Sequence, residues 1–128
     1  EALILASIVE KETGVASERK RIAGLFMRRL DIGMKLQTDP TIIYGMGDQF
    51  KGDIRYRDLR TDTPYNTYTR YGLPPTPIAI PSKASIQAVL HPEATSSLFF
   101  VSKGDGSHVF SETLQQHNAA VNKYQRKK

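Results

Sequence analysis

The chain opens on a run of apolar and polar positions with the period of an α-helix. Ile4, Leu5, Ile8 and Val9 fall on one stripe at about 100° per residue, which predicts a helix over 2–13 closed by Gly14. Ser17 stands at an N-cap position for a second helix, Glu18 to Ile32, with Ile22, Leu25, Phe26 and Leu30 at helical spacing and Gly33 as its stop. Arg19, Arg21, Arg28 and Arg29 are mostly left for its other faces. Met34 to Thr38 reads as extended. Asp39 followed by Pro40 is an N-cap and first-turn pair, so a brief helix is expected from Pro40 to Tyr44.

From Gly45 to Pro81 the chain is rich in Gly, Pro, Asp, Thr and Tyr, the composition of a structured loop with short helical turns. A loop of that length inside a compact domain is usually functional. Ser82 to Leu90 is helical again and stops before Pro92. Leu98 to Val101 and His108 to Phe110 flank Gly104-Asp105-Gly106, a hairpin signal, and Ser111 is expected to cap a last helix reaching about Gln125. The pattern predicts an α+β fold, mainly helical with a small β-hairpin, in one domain spanning 1–128.

Composition narrows this further. With 128 residues and 39% hydrophobic positions the chain can bury its own core, so a disordered segment is excluded. No apolar run approaches the ~20 residues of a membrane span. The longest, Ala2 to Val9, is broken by Ser7. The start at Glu1 without methionine, directly in a helical pattern, suggests a fragment of a longer protein, with any anchor or export signal upstream. Absence of cysteine removes thiolate metal sites and cysteine nucleophiles.

A net charge of +5 favours polyanionic neighbours: nucleic acid, anionic lipid or acidic wall polymers. No nucleic-acid motif accompanies it. His91, His108 and His117 have no metal-ligand spacing, and no GK[ST] follows the Gly104-Asp105-Gly106 turn to make it a phosphate loop. Lys123, Arg126, Lys127 and Lys128 read as a solvated helix end.

The sharpest chemical signal is Glu12. It lies four residues beyond Ile8 and three beyond Val9, near the middle of the apolar stripe. Glu10 is displaced by roughly 160° and shares the opposite side with Leu3 and Ser7, so the two carboxylates cannot face each other. A carboxyl on an apolar stripe should have a raised pKa, as a general acid near neutral pH requires. The competing reading is that the stripe frays at the helix end and Glu12 reaches solvent or pairs with an arginine. A second cluster, Gln37, Thr38 and Asp39 with Tyr65, Asn66, Thr67 and Tyr68, combines amides and aromatic rings, which suit sugars. Its structural alternatives are a helix cap at Asp39, the preferred reading there, and a turn at Asn66.

Four segments together resemble a known family. ILASIVEKET (Ile4 to Thr13), ASERKRIAGLFMRRLDIGMKLQTDPTIIYGMG (Ala16 to Gly47), YNTYTRYGLPPTPIAIP (Tyr65 to Pro81) and the tail FFVSKGDGSHVFSETLQQH are similar to the endolytic murein transglycosylases of the MltG, or YceG-like, family. The resemblance covers essentially the whole chain. It implies a lysozyme-like catalytic domain that cuts the β-1,4 bond between N-acetylmuramic acid and N-acetylglucosamine, leaving 1,6-anhydro ends. It places the catalytic glutamate at Glu12, by its position in EKET, with Glu12-Thr13 similar to the Glu-Ser pair of related enzymes. It implies substrate contacts from Gln37, Thr38, Asn66 and Tyr68, with Glu10 beside them, and no metal or organic cofactor.

The implied partners are peptidoglycan strands and, in the cell, peptidoglycan synthases, not nucleic acid. The implied location is the bacterial envelope, with an inner-membrane anchor upstream. A non-catalytic peptidoglycan-binding module is the alternative.

Overall fold

In the computed structural model, residues 1–124 are described; the predicted helix end at Gln125 and the basic Arg126, Lys127 and Lys128 lie outside them. Helix α1 spans Ala2–Glu12 and α2 spans Arg19–Asp31. Leu5, Ala6, Ile8 and Val9 of α1 meet Ile22, Ala23, Leu25 and Phe26 of α2, and with Leu36, Ile78, Ala88 and Val89 they form the core. Ser7 is also buried. Its hydroxyl donates to the Ile4 carbonyl (2.6 Å) and accepts from the Ile78 N–H (3.0 Å), so α1 is enclosed on the side that the sequence left polar.

Between α1 and α2 the chain makes a 3-10 turn, Ala16–Glu18. Ser17 therefore does not cap α2. Position 18 precedes the helix, and no side chain caps it. Helix α3 spans Asp39–Met46, with Thr38 as its N-cap residue, one place earlier than expected. The long loop carries a 3-10 turn at Gly47–Gln49 and the short helix α4, Tyr56–Arg60, in keeping with its expected helical turns. Helix α5, Lys83–Leu90, is capped by Ser82, whose hydroxyl accepts from the Ser85 N–H.

Strands β1 (Phe99–Ser102) and β2 (His108–Ser111) pair antiparallel, Phe99 opposite Ser111 and Ser102 opposite His108. Ser111 ends β2 and does not cap the last helix. Helix α6 is Leu114–Tyr124, and Thr113 Oγ1 accepts from the Gln116 N–H at its start (3.1 Å). The architecture is α+β, with α1 packed against α5 and α2 and the hairpin against α6. The tip of the hairpin comes down on the end of α1. A Cβ added at Gly14 would lie 2.4 Å from the Gly106 carbonyl oxygen, so glycine is what permits this approach.

Candidate active site

Glu12 is the last residue of α1. Its side chain forms part of a cavity of about 550 Å³, walled by Arg29, Gln37, Asp39 and Tyr68 on one side and by the hairpin and α6 on the other. This volume lies in the range of small-ligand pockets.

Burial, a hydrogen bond and neighbouring charges set the Glu12 proton. Burial raises its pKa, because the charged form loses hydration. Thr38 Oγ1 donates to Oε2 at 2.5 Å and opposes this by favouring the carboxylate. The Asp39 carboxylate raises the pKa again by repulsion, and the positive charges of His108, when it is protonated, and of Arg29 lower it. The net direction is up, so the apolar stripe does end in a partly buried carboxyl and not in solvent.

Thr38 is held from below. Its N–H donates to Thr67 Oγ1 (3.0 Å), and Thr41 Oγ1 lies 2.9 Å from the same hydroxyl. These buried threonines join the start of α3 to the long loop. Just before them, Gln37 adopts φ +52°, the one non-glycine residue with positive φ among the described residues. Such a conformation costs on the order of 1 kcal/mol and persists where surroundings enforce it. Here the Gln37 N–H donates to the Thr67 carbonyl (3.2 Å) while its side chain, exposed, lines the cavity.

The sequence predicts a helix cap at Asp39, but the structure shows no side-chain cap on α3. Its Oδ1 instead accepts from the Tyr68 hydroxyl at 2.5 Å, and both residues line the cavity. Burial, then the bond to Asp39, pushes the Tyr68 hydroxyl pKa up, so it remains a donor. The sequence leaves Arg29, with the other arginines of α2, mostly for an outer face. It is buried, with Nε donating to the Leu98 carbonyl (2.7 Å) and Nη1 to the Leu36 carbonyl (2.5 Å). It thus ties the approach to β1 to the segment carrying Gln37. Burial lowers its pKa to about 10, which still leaves it cationic at neutral pH. The sequence signal was present: Arg29 follows Leu25 by four and Phe26 by three, on the stripe of α2.

The other two predicted contact residues stand elsewhere. Asn66 is buried outside the Glu12 cavity. Its Nδ2 donates to the Leu59 and Thr61 carbonyls (3.1 and 2.7 Å), and its Oδ1 accepts from the Tyr68 and Thr69 N–H groups (2.8 and 3.1 Å). The turn reading describes it, and its bearing on the cavity is to hold the backbone of Tyr68. Glu10 is turned toward α5. Its Oε1 accepts from the Ser82 N–H (2.9 Å) and Ser85 Oγ (2.7 Å). The Ser82 backbone bond, first among the causes, lowers the Glu10 pKa to about 2. Geometry therefore gathers Glu12, Gln37, Thr38 and Tyr68, adds Arg29 and Asp39, and leaves Glu10 and Asn66 as supports.

The fold and cavity define an α+β domain with a partly buried acid, Glu12, at a helix end on the cavity wall. Residues 1–123 match the YceG-like family, and the chain belongs to that family. It is 45% identical over 122 residues to an endolytic murein transglycosylase of Bacillus subtilis, covering 95% of this chain and 34% of that protein. It is 33% identical over 126 residues to the endolytic murein transglycosylase of Streptococcus pneumoniae strain D39, covering 94% of this chain and 23% of that one. A crystal structure of a YceG-like protein from Listeria monocytogenes superposes with a TM-score of 0.87 at 43% identity, over 93% of this chain and 39% of that one. The chain thus spans about a third or less of the length of the curated relatives it matches.

Proposed function

We propose that this domain is the catalytic part of a lytic transglycosylase with a lysozyme-like fold. It would cut the β-1,4 bond between N-acetylmuramic acid and N-acetylglucosamine endolytically, in nascent strands within the bacterial envelope. The observation that carries the reading is Glu12, a carboxyl with a raised pKa at the wall of a sugar-sized cavity. The names of the curated relatives support the same substrate.

Protonated Glu12 donates to the leaving glycosidic oxygen as the bond to C1 breaks. The muramoyl 2-acetamido oxygen assists at C1, as in substrate-assisted glycosidases. The Glu12 carboxylate, now stabilised by Thr38 Oγ1 and the Arg29 charge, takes the proton of the muramoyl 6-hydroxyl as that oxygen closes on C1. Protons balance, Glu12 is restored, and the product carries a 1,6-anhydro ring. Gln37 and Tyr68, which line the cavity, would hold the sugar.

A second reading has its own observation. Asp39 puts another carboxylate on the same cavity, and two carboxyl groups across a glycosidic bond are the equipment of a hydrolase. Mass spectrometry of purified peptidoglycan digested by the domain separates the two. We expect 1,6-anhydromuramic ends. Reducing muramic ends would establish hydrolysis, and intact strands would leave a binding module.

A further inference from the structure

Beside Glu12, on the hairpin wall, stands an imidazole that the one-acid mechanism does not use. His108 opens β2 and lines the cavity. Glu18, which ends the 3-10 turn before α2, is 90 positions away in sequence and grips it twice. Glu18 Oε2 accepts from the His108 backbone N–H at 3.0 Å, and Oε1 lies 2.9 Å from Nδ1. Both side chains are nearly enclosed, at 9% and 14% exposure. The ring also packs edge-on to Phe100, with centroids 5.2 Å apart, so its rotation is fixed.

This grip determines the chemistry of the other nitrogen. A carboxylate only accepts hydrogen bonds, so Nδ1 must carry the proton, and Nε2 of the neutral ring is an acceptor. Glu18 is not among the cavity-lining residues, so the Nδ1 edge is turned away from the cavity. His108 itself lines the cavity, which leaves the edge carrying Nε2 for it. The best-defined donors nearby are already engaged: Tyr68 on Asp39, and Arg29 on two carbonyls. A glycan brings hydroxyl and acetamido N–H groups, which need acceptors.

We propose that His108 Nε2 accepts a hydrogen bond from a hydroxyl or acetamido N–H of the bound glycan, positioning the sugar for Glu12, and that Glu18 sets the tautomer that makes this possible. The inference deepens the transglycosylase reading and rests on it. The bland competitor is a pair that merely pins the hairpin to the turn, and two conservative variants separate them.

In His108→Asn the amide nitrogen can take the place of Nδ1–H and keep the bond to Glu18, while Nε2 is lost. In Glu18→Gln the backbone N–H of His108 holds the amide oxygen, so the amide NH₂ faces Nδ1. That forces Nδ1 to accept and moves the ring proton to Nε2. Both variants should keep the melting temperature within about 4 °C, less than the shift expected from losing a buried contact. Both should lower kcat/KM for fragment release from purified peptidoglycan about three- to tenfold, the loss of one hydrogen bond to a neutral partner. Imidazole ¹⁵N NMR should show the proton on Nδ1 in the parent and on Nε2 in Glu18→Gln.

Either folded variant retaining the parental kcat/KM overturns the inference alone. A parent that releases no fragments brings down the transglycosylase reading, and this inference with it. Where neither variant folds, the parent decides: the His108 Nε2 resonance should move when N-acetylglucosamine tetramer is added, and an unmoved resonance or a proton already on Nε2 overturns the proposal.

Discussion

Thr38 and Asp39 are neighbours in sequence and pull the Glu12 proton in opposite directions. Thr38 donates to the carboxylate and favours ionisation, while the Asp39 charge opposes it. In the proposed mechanism Glu12 acts in its protonated form, so activity should fall as pH rises through its pKa. Thr38→Val removes the donor with little change of shape, and the alkaline limb of kcat/KM should move to higher pH. Asp39→Asn removes the repulsion, and the limb should move to lower pH. Profiles of the two variants and the parent check this; an Asp39→Asn enzyme that is simply dead would favour the hydrolase reading. Gln37 offers a separate test. Its φ of +52° is one that glycine adopts without steric penalty. Gln37→Gly should melt at the parental temperature or up to a few degrees above it, a gain of about 1 kcal/mol. It should nevertheless turn over more slowly, because the amide has left the cavity.

At the scale of elements, the site is a meeting of ends. The C-terminus of α1 brings Glu12, the N-terminus of α3 brings Thr38 and Asp39, and the hairpin closes the far side. The last turn of a helix carries the negative pole of its dipole, which also disfavours a carboxylate there. The position of the hairpin depends on Gly14. In Gly14→Ala the new Cβ would collide with the Gly106 carbonyl, and backbone atoms would have to move. We expect a loss of about 1–3 kcal/mol, measured by denaturant titration, because overpacking forces such shifts. Activity should fall more than stability, since His108 and Phe100 move with the hairpin. A Gly14→Ala protein with parental turnover would show that the hairpin wall is dispensable.

At the scale of the whole molecule, the two glutamates of α1 should give stability-against-pH curves of opposite sign. The folded pKa of Glu12 is raised, so its contribution is most favourable below the unfolded value of about 4.3 and is lost as pH rises through the folded value. Near pH 7 the ionised group is a burden. Glu12→Gln should therefore melt at the parental temperature or above it at pH 7, with the advantage shrinking toward pH 4, while turnover falls 10²- to 10⁴-fold, as for a lost general acid. The folded pKa of Glu10 is depressed to about 2, so its contribution is present above about 4.3 and is lost as pH falls toward 2. Glu10→Gln should melt a few degrees lower at pH 7, about 1 kcal/mol for weakened hydrogen bonds to Ser82 and Ser85, and match the parent near pH 2. It should keep most of its turnover. Thermal melts from pH 2 to 7 check both curves.

Periodicity located α1 and the core half of α2, because each buries one face and that need is written in the spacing of apolar residues, while the Gly104-Asp105-Gly106 turn signal located the hairpin. The same spacing placed Glu12 among its apolar neighbours and separated it from Glu10. Local patterns could not say what covers a face. Arg29 shares the stripe of α2, yet its use depends on the Leu98 carbonyl, 69 positions away, and on Leu36. Asp39 looked like a cap because Asp before Pro is a local cap signal, whereas Tyr68, 29 positions on, claims its carboxylate. Asn66 and Glu10 looked like ligands of a sugar because a polar side chain in a motif does not reveal whether backbone groups already satisfy it. Glu18 and His108 left no trace in spacing at all, since 90 positions separate them. A sequence determines which face of each element must be buried. Which side chains then converge on one cavity is decided only when the elements pack, because hydrogen bonds act over about 3 Å in space, whatever the distance along the chain.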